Sequence, residues 1–173
     1  MKHTLPTYPR ILAIAPSSRG FGFVVLEGVD TLADWGAKSV KGENKNAQSL
    51  AKVKELMRHY QPEVLVLQDT GTKTSKRSPR IKLLTNQLVS LAKSRNLPVQ
   101  RYSQEQIQKV YFPEGQGTKY ELAQLIAKRF PEELRSRLPR KRRAWESDPA
   151  VMDLFEATAL ARMPLLWRKH NRS

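Results

Sequence analysis

The sequence of 173 residues contains no cysteine, which excludes disulfide bonds and thiolate metal sites and is typical of a reducing compartment. It has no apolar run approaching about 18 residues, so no transmembrane segment is predicted. The first ten residues, MKHTLPTYPR, lack the apolar stretch of a secretory signal peptide. Since the length suits one domain better than two, we expect a single cytoplasmic domain that does not enter a membrane.

Acidic residues are scarce relative to basic ones. The sequence has 16 Asp and Glu against 31 Lys and Arg, which gives a formal net charge of +15 at pH 7. Such an excess in one small domain is typical of proteins that bind the phosphate backbone of nucleic acids. A solvated surface would explain a smaller excess. An anionic membrane surface is less well supported, because the sequence shows no basic amphipathic helix with an aromatic face.

The hydrophobic pattern predicts a mixed α/β domain. Three short apolar runs separated by turns predict a strand meander, and a continuous apolar run after a long helix predicts a parallel strand reached by a crossover. Three- and four-residue spacing and two capping boxes indicate the helices. The predicted strands are residues 11–14, 21–26, 31–40, 63–67 and 98–102, and the predicted helices are residues 46–60, 80–94, 103–111, 118–130 and 148–163. Residues 131–147 are predicted to be irregular.

Six segments in this order resemble the RuvC-like Holliday junction resolvases of the ribonuclease H superfamily. They are RILAIAPSSRGFGFVVLEG from residue 10, ADWG from residue 33, PEVLVLQD from residue 62, LPVQRYSQEQI from residue 97, TKYELAQLIAKRFP from residue 118 and DPAVMDLFEATALA from residue 148. The resemblance implies a ribonuclease H-like α/β fold with a mixed five-stranded sheet flanked by helices. In that sheet the first three strands of the chain are antiparallel, and the fourth and fifth are parallel to the first. The domain would span residues 10–163, between a flexible arm at 1–9 and a basic tail at 164–173.

The resemblance also implies a metal-dependent nuclease site. Such enzymes hold two Mg²⁺ or Mn²⁺ ions about 4 Å apart with converging carboxylates. The four matching positions here are Ala15, which has no ligand atom, Gln68, which offers only a neutral oxygen, and Asp153 and Glu156, which lie three apart on one helix face. Asp153 and Glu156 are therefore the predicted catalytic and metal-binding remnant, and Asp69 joins them only if the fourth strand has already ended.

Two of the four expected carboxylates are thus missing, and we predict a nucleic-acid-binding protein whose nuclease activity is lost. The favoured ligand is branched or structured DNA, with a homodimer as a further expectation from the resemblance to DNA-recombination enzymes. One alternative is an active junction endonuclease, with a site reorganised around Asp69 or with Ala15 and Gln68 introduced by mutation. Another is a basic adaptor or RNA-binding scaffold.

Basic residues flank the predicted site in two runs and one turn, where they are candidates for phosphate contacts. These residues are Arg19 in the first turn, Lys73, Lys76, Arg77 and Arg80 after the fourth strand, and Arg140, Lys141, Arg142 and Arg143 before the last helix. Tyr111, Phe112 and Trp145 are candidates for stacking on unpaired bases, with a core or hinge role as an equal alternative for each.

Overall fold

A mixed five-stranded sheet forms the centre of the computed structural model, which describes residues 8–172. The strands are β1 (Ile11–Ser17), β2 (Gly20–Glu27), β3 (Thr31–Ser39), β4 (Val64–Gln68) and β5 (Val99–Tyr102), in the order β3-β2-β1-β4-β5. The pairs β1–β2 and β2–β3 are antiparallel, whereas β1–β4 and β4–β5 are parallel. This topology confirms the predicted ribonuclease H-like α/β fold.

Helices cover both faces of the sheet. They are α1 (Lys45–Tyr60), α2 (Pro79–Ser94), α3 (Gln104–Tyr111), α4 (Lys119–Arg129), the short α5 (Pro131–Leu134) with a 3₁₀ turn (Arg135–Arg137), and α6 (Met152–Arg172). Both predicted capping boxes are present: Ser103 caps α3 with Gln106, and Thr118 caps α4 with Glu121. None of the helices in the described part of the chain combines the length and apolar character that a bilayer span requires.

Strand β1 is buried on both faces and divides the interior into two cores. Ile11, Ala13 and Ala15 face the core formed with α3, α4 and α6. Leu12 and Ile14 face the core formed with α1 and α2. Because successive strand residues point to opposite faces, the position of Ala15 in β1 determines that it faces α6 and not α1.

Helix α6 begins directly on the sheet. An ideal Cβ placed on Gly22 of β2 would lie 2.0 Å from the carbonyl oxygen of Asp153, so only a glycine allows this close approach. Gly22 is the partner of Ala15 in the β1–β2 register. The first turn of α6 is therefore held over β1 and β2, next to Ala15 of the predicted site.

Three boundaries differ from the sequence prediction. Strand β1 continues to Ser17, so Ala15 lies within the strand and not at its end. The segment 131–147, predicted to be irregular, contains α5 and the 3₁₀ turn, because Leu134 is buried in the core.

The last helix also differs, since it begins at Met152 and continues to Arg172, through the predicted basic tail. The helix passes the internal Pro164, and Trp167 packs against the core and stacks on His170 with ring centroids 5.4 Å apart. The predicted arm at residues 1–9 lies mostly outside the described residues.

Candidate functional site

A cavity of about 530 Å³ lies beside the carboxyl ends of β1 and β4, against α6. We call it the Glu156 cavity. Its lining includes Ala15 of β1, Gln68 of β4, Lys76 and Arg77 before α2, Lys119 of α4 and Glu156 of α6. Three of the four positions of the predicted nuclease site therefore meet in one cavity, together with three basic side chains.

Arg77 bridges two of these positions. Its Nε and Nη2 atoms donate hydrogen bonds of 3.1 and 2.8 Å to Oε1 of Gln68, and Nη2 also lies 3.2 Å from Oε2 of Glu156. The Gln68 amide is oriented in turn, because its Nε2 donates to Oε1 of Gln104 at 3.2 Å. Ser78 caps α2 by accepting a hydrogen bond from the Ile81 N–H, which places Arg77 at the entrance to that helix.

Lys119 occupies the other side of Glu156. Its Nζ lies 3.2 Å from Oε1 of Glu156 and 3.8 Å from Oδ2 of Asp148. The capping box of Thr118 makes Lys119 the first residue of α4, and α4 packs along α6. Both carboxylate oxygens of Glu156 are thus paired with a basic side chain of another element.

Asp153 lies behind the cavity and is 7% exposed. The hydroxyl of Ser17 donates a hydrogen bond of 2.6 Å to its Oδ2. Burial raises the pKa of the Asp153 carboxyl above its ordinary value, and the nearby charge of Glu156 adds to the rise, whereas the Ser17 hydrogen bond opposes it. Burial therefore disfavours the ionised form that a metal ligand requires.

Asp69 is the first residue after β4. The strand has therefore ended at this point, which is the condition for Asp69 to join the predicted metal site. Its Oδ1 accepts the N–H of Gly71 at 2.9 Å in a local turn, and its own N–H donates to the carbonyl oxygen of Tyr102. Asp69 is not among the residues that line the Glu156 cavity. Among residues 8–172, no group of three or more Asp, Glu or His side chains is arranged to hold a metal ion.

These donors do not fit a pair of divalent cations. Mg²⁺ and Mn²⁺ in such sites require several carboxylate or other oxygen ligands that converge on the metals. Ala15 supplies no oxygen, the Gln68 oxygen already accepts two N–H groups, and both Glu156 oxygens are paired with cations. The oxygen atoms of the Glu156 cavity are therefore not arranged to bind a metal pair.

The basic residues after β4 divide into two groups. Lys73 and Lys76 are exposed. Arg80 points inward, where its guanidinium donates to Oδ1 of Asn46 and to the carbonyl oxygen of Ser17, both at 2.9 Å. Arg80 therefore joins α1, α2 and the β1–β2 hairpin, and its predicted phosphate contact conflicts with these internal hydrogen bonds.

Arg19, at the tip of the same hairpin, is only partly exposed, and its buried Nε has no hydrogen-bond partner among the described residues. Its positive charge partly offsets the rise in the pKa of Asp153. Arg19 therefore contributes positive charge next to the site and makes no internal bond through Nε.

The second basic run forms a loop between the 3₁₀ turn and α6. Arg140 binds both carboxylate oxygens of Glu146 at 3.0 and 2.8 Å, and Arg142 binds Oδ1 of Asp148 at 2.7 Å. These ion pairs fold the loop and leave Lys141, Arg143 and Trp145 exposed.

Trp145 is 77% exposed, and the Arg143 guanidinium lies 5.5 Å from its ring centroid. The loop therefore presents an aromatic face next to positive charge. The other two aromatic candidates have structural roles: the Tyr111 hydroxyl donates to the carbonyl oxygen of Ala159 at 2.8 Å, and Phe112 packs against Gly117.

Lys119 is the functional candidate that the sequence reasoning missed. Its position at the start of a helix with a capping box is visible in the sequence. Its approach to Glu156, which is 37 residues further along the chain by number (156 − 119), depends on how α4 packs against α6. The local sequence around Lys119 does not indicate that packing.

No protein-family model and no curated protein matches the sequence. Solved structures resemble the fold over nearly its whole length. RuvC of Thermus thermophilus in complex with Holliday junction substrate has a TM-score of 0.68 at 16% identity, over 95% of this chain and 97% of that one. A second Thermus thermophilus RuvC structure has a TM-score of 0.63 at 16% identity, over 93% and 96% of the two chains.

The yeast mitochondrial Holliday junction resolvase Ydc2 has a TM-score of 0.62 at 16% identity, over 96% of this chain and 84% of that one. At this level of identity the likeness concerns the fold. Strand order, strand direction and these neighbours agree, and the chain has a RuvC-like, ribonuclease H-type fold.

Proposed function

We propose that this protein binds nucleic acid, with branched or structured DNA as its favoured ligand, and that it does not perform metal-dependent strand cleavage. The observation that carries this proposal is the state of the Glu156 cavity. Three of the predicted metal-binding positions line it: Glu156 is paired with Arg77 and Lys119, and the other two positions are an alanine and a glutamine. Because the basic side chains of Arg77 and Lys119 already pair with Glu156, the cavity is better suited to bind an anion than a metal cation.

The distribution of charge supports a nucleic-acid ligand. The net charge of +15 is large for a single domain. Lys76 lines the cavity and is exposed, and exposed Lys73 precedes Thr74, which also lines it. The loop that carries Trp145 is connected to the same cavity, because Asp148 lies between Arg142 and Lys119. Phosphate contacts by clustered Lys and Arg would make the binding strongly dependent on salt.

The structural neighbours favour a branched ligand. One of the similar structures contains RuvC with a Holliday junction substrate, and a four-way junction is two-fold symmetric. A homodimer would present two equal basic faces to such a ligand. We propose that the protein binds the junction as a homodimer, and light scattering of the protein with and without a junction tests this.

The decisive experiment combines binding and cleavage in the same samples. A labelled four-way junction and a duplex of equal length are incubated with Mg²⁺ or Mn²⁺ and with this protein or its Ala15→Asp, Gln68→Glu double variant. We expect this protein to bind the junction in preference to the duplex and to leave it intact. We expect the double variant to gain cleavage, because it supplies carboxylates at the two missing positions.

Cleavage by the unchanged protein would contradict the proposed loss of activity, and Asp69→Asn would then test the reorganised site. Equal binding of junction and duplex would restrict the proposal to general nucleic-acid binding. Binding that hardly changes between low and high salt would instead favour the alternative of an adaptor that contacts another protein.

A further inference from the structure

We infer that Arg77 and Lys119 form a phosphate-binding subsite in the Glu156 cavity that works without a divalent cation, and that Glu156 is its internal counter-ion. The inference rests on the proposed function and names the ligand of the same cavity, a backbone phosphate of the bound nucleic acid. When a phosphate enters, the two cations turn from Glu156 toward it. Glu156 therefore lowers the affinity of the subsite.

The first argument is the charge balance. Two basic side chains share one carboxylate, and the other acidic neighbour of Lys119, Asp148, lies 3.8 Å away and is itself paired with Arg142 at 2.7 Å. The full cavity lining contains three basic side chains, Lys76, Arg77 and Lys119, against two carboxylates, Glu105 and Glu156, so one positive charge is left uncompensated. A phosphodiester carries one negative charge at neutral pH and would complete the compensation.

The second argument is the geometry of Arg77. Its contacts with Gln68 and Glu156 use Nε and Nη2, and within residues 8–172 Nη1 makes no hydrogen bond. A guanidinium binds phosphate through a planar pair of N–H donors. The side chain of Lys119 is 56% exposed, so its ammonium group is accessible from the solvent side of the cavity.

The third argument is the neutrality of Gln68. Its amide accepts two N–H groups of Arg77 and is oriented by Gln104. An amide in this position orients the guanidinium without cancelling its charge, whereas a carboxylate would form a second ion pair with it. The glutamine that removes a metal ligand therefore also preserves a cation for phosphate.

The test is fluorescence anisotropy with a fluorescein-labelled four-way junction, over a salt series, in EDTA and in Mg²⁺ at equal ionic strength. We expect the unchanged protein to bind within about twofold of the same affinity in both conditions. Arg77→Gln should weaken binding about tenfold, as expected for the loss of a hydrogen bond to a charged group. It should also reduce the salt slope by about 1.

Two near-isosteric variants separate the subsite from a structural role. Gln68→Glu retains Arg77 but neutralises it, so we expect weaker binding. Glu156→Gln frees both cations, so we expect tighter binding and a steeper salt slope. The control is Lys54→Gln, an equal change of charge on the exposed side of α1, which packs on the opposite face of the sheet.

Three results would overturn the inference: binding that disappears in EDTA and returns with Mg²⁺, weaker binding by Glu156→Gln, or equal effects of Arg77→Gln and Lys54→Gln. Circular dichroism of each variant shows whether it is folded. If Arg77→Gln does not fold, the binding affinity of Gln68→Glu tests the phosphate subsite instead. Failure of the unchanged protein to bind any nucleic acid refutes the proposed function itself and is distinguishable from these results.

Discussion

The replacement of Gly22 by alanine tests the contact that holds α6 over the sheet. An ideal Cβ at this position would lie 2.0 Å from the carbonyl oxygen of Asp153, 2.2 Å from its carbonyl carbon and 2.6 Å from the Leu154 nitrogen. All three are backbone atoms of the α6 region, so no change of side-chain rotamer relieves the overlap. The helix or the strand must move.

The size of that movement follows from these distances. Contacts of a Cβ below 3.0 Å essentially do not occur, so this contact between β2 and α6 must lengthen by at least 1.0 Å (3.0 − 2.0). Overpacking of a well-packed core costs about 1–3 kcal/mol, and a clash with backbone belongs at the upper end. We expect Gly22→Ala to lower the free energy of unfolding by about 3 kcal/mol, or the melting temperature by roughly 6–12 °C for a chain of this size.

Urea denaturation followed by circular dichroism measures this change. Gly115→Ala is the matched control, because its added Cβ would have no atom within 4 Å. We expect the control to remain within about 0.5 kcal/mol of the unchanged protein. If Gly22→Ala is equally neutral, α6 does not rest on β2 in the way described, and the positions assigned to Asp153 and Glu156 lose their support.

Three further predictions address single residues. Burial raises the pKa of Asp153 in the folded state above its value in the unfolded state. The contribution of Asp153 to stability therefore falls as the pH rises between these two pKa values, and it stays low at higher pH. Asp153→Asn should raise the free energy of unfolding at pH 7 and weaken the dependence of that free energy on acidic pH, as measured by urea titrations. Trp145→Ala should weaken junction binding by about 1–3 kcal/mol if the indole stacks on a base, and junction binding should quench its fluorescence, whereas unchanged affinity would assign Trp145 no role in binding. Arg80→Ala should destabilise the fold by about 2 kcal/mol through the loss of two internal hydrogen bonds. Lys73→Ala should weaken nucleic-acid binding without a change in stability. The opposite pattern in thermal melts and anisotropy would refute the assignment of a structural role to Arg80 and a binding role to Lys73.

The sheet was predictable because its signals are local. The apolar runs of β1, β2 and β4 are bounded by turn residues, and the capping boxes of α3 and α4 each require only four consecutive residues. The strand directions followed from the lengths of the connections and from the family resemblance. The end of α6 was not predictable in this way, since Pro164 and the basic composition hide the packing of Trp167 against the core.

The site was predictable only in part, because its chemistry depends on pairs that are distant in the chain. The resemblance predicted four site positions, of which the structure brings Ala15, Gln68 and Glu156 to one cavity, but it did not predict Arg77, which lies 79 residues from its partner Glu156. Arg77 and Arg80 belong to the same basic run and have the same chemistry, yet Arg77 faces the cavity, whereas Arg80 joins α2 to α1 and β1 through hydrogen bonds. Composition cannot separate these roles, since only the packing of the loop before α2 distinguishes them.

The proposed absence of metal binding and the proposed phosphate subsite would have the same electrostatic origin, which is the small number of carboxylates and the presence of basic side chains in the Glu156 cavity. A site with four converging carboxylates repels a phosphodiester unless divalent cations are bound between them. With Ala15 and Gln68 in two of the positions, the negative charge is reduced, and Arg77 and Lys119 approach Glu156 within 3.2 Å. The same basic side chains would lose much of their charge to carboxylates if the full acidic set were present. Under the proposed function, the alanine and the glutamine therefore have two effects: they withhold metal ligands, and they leave the cations of this cavity available to a nucleic-acid backbone.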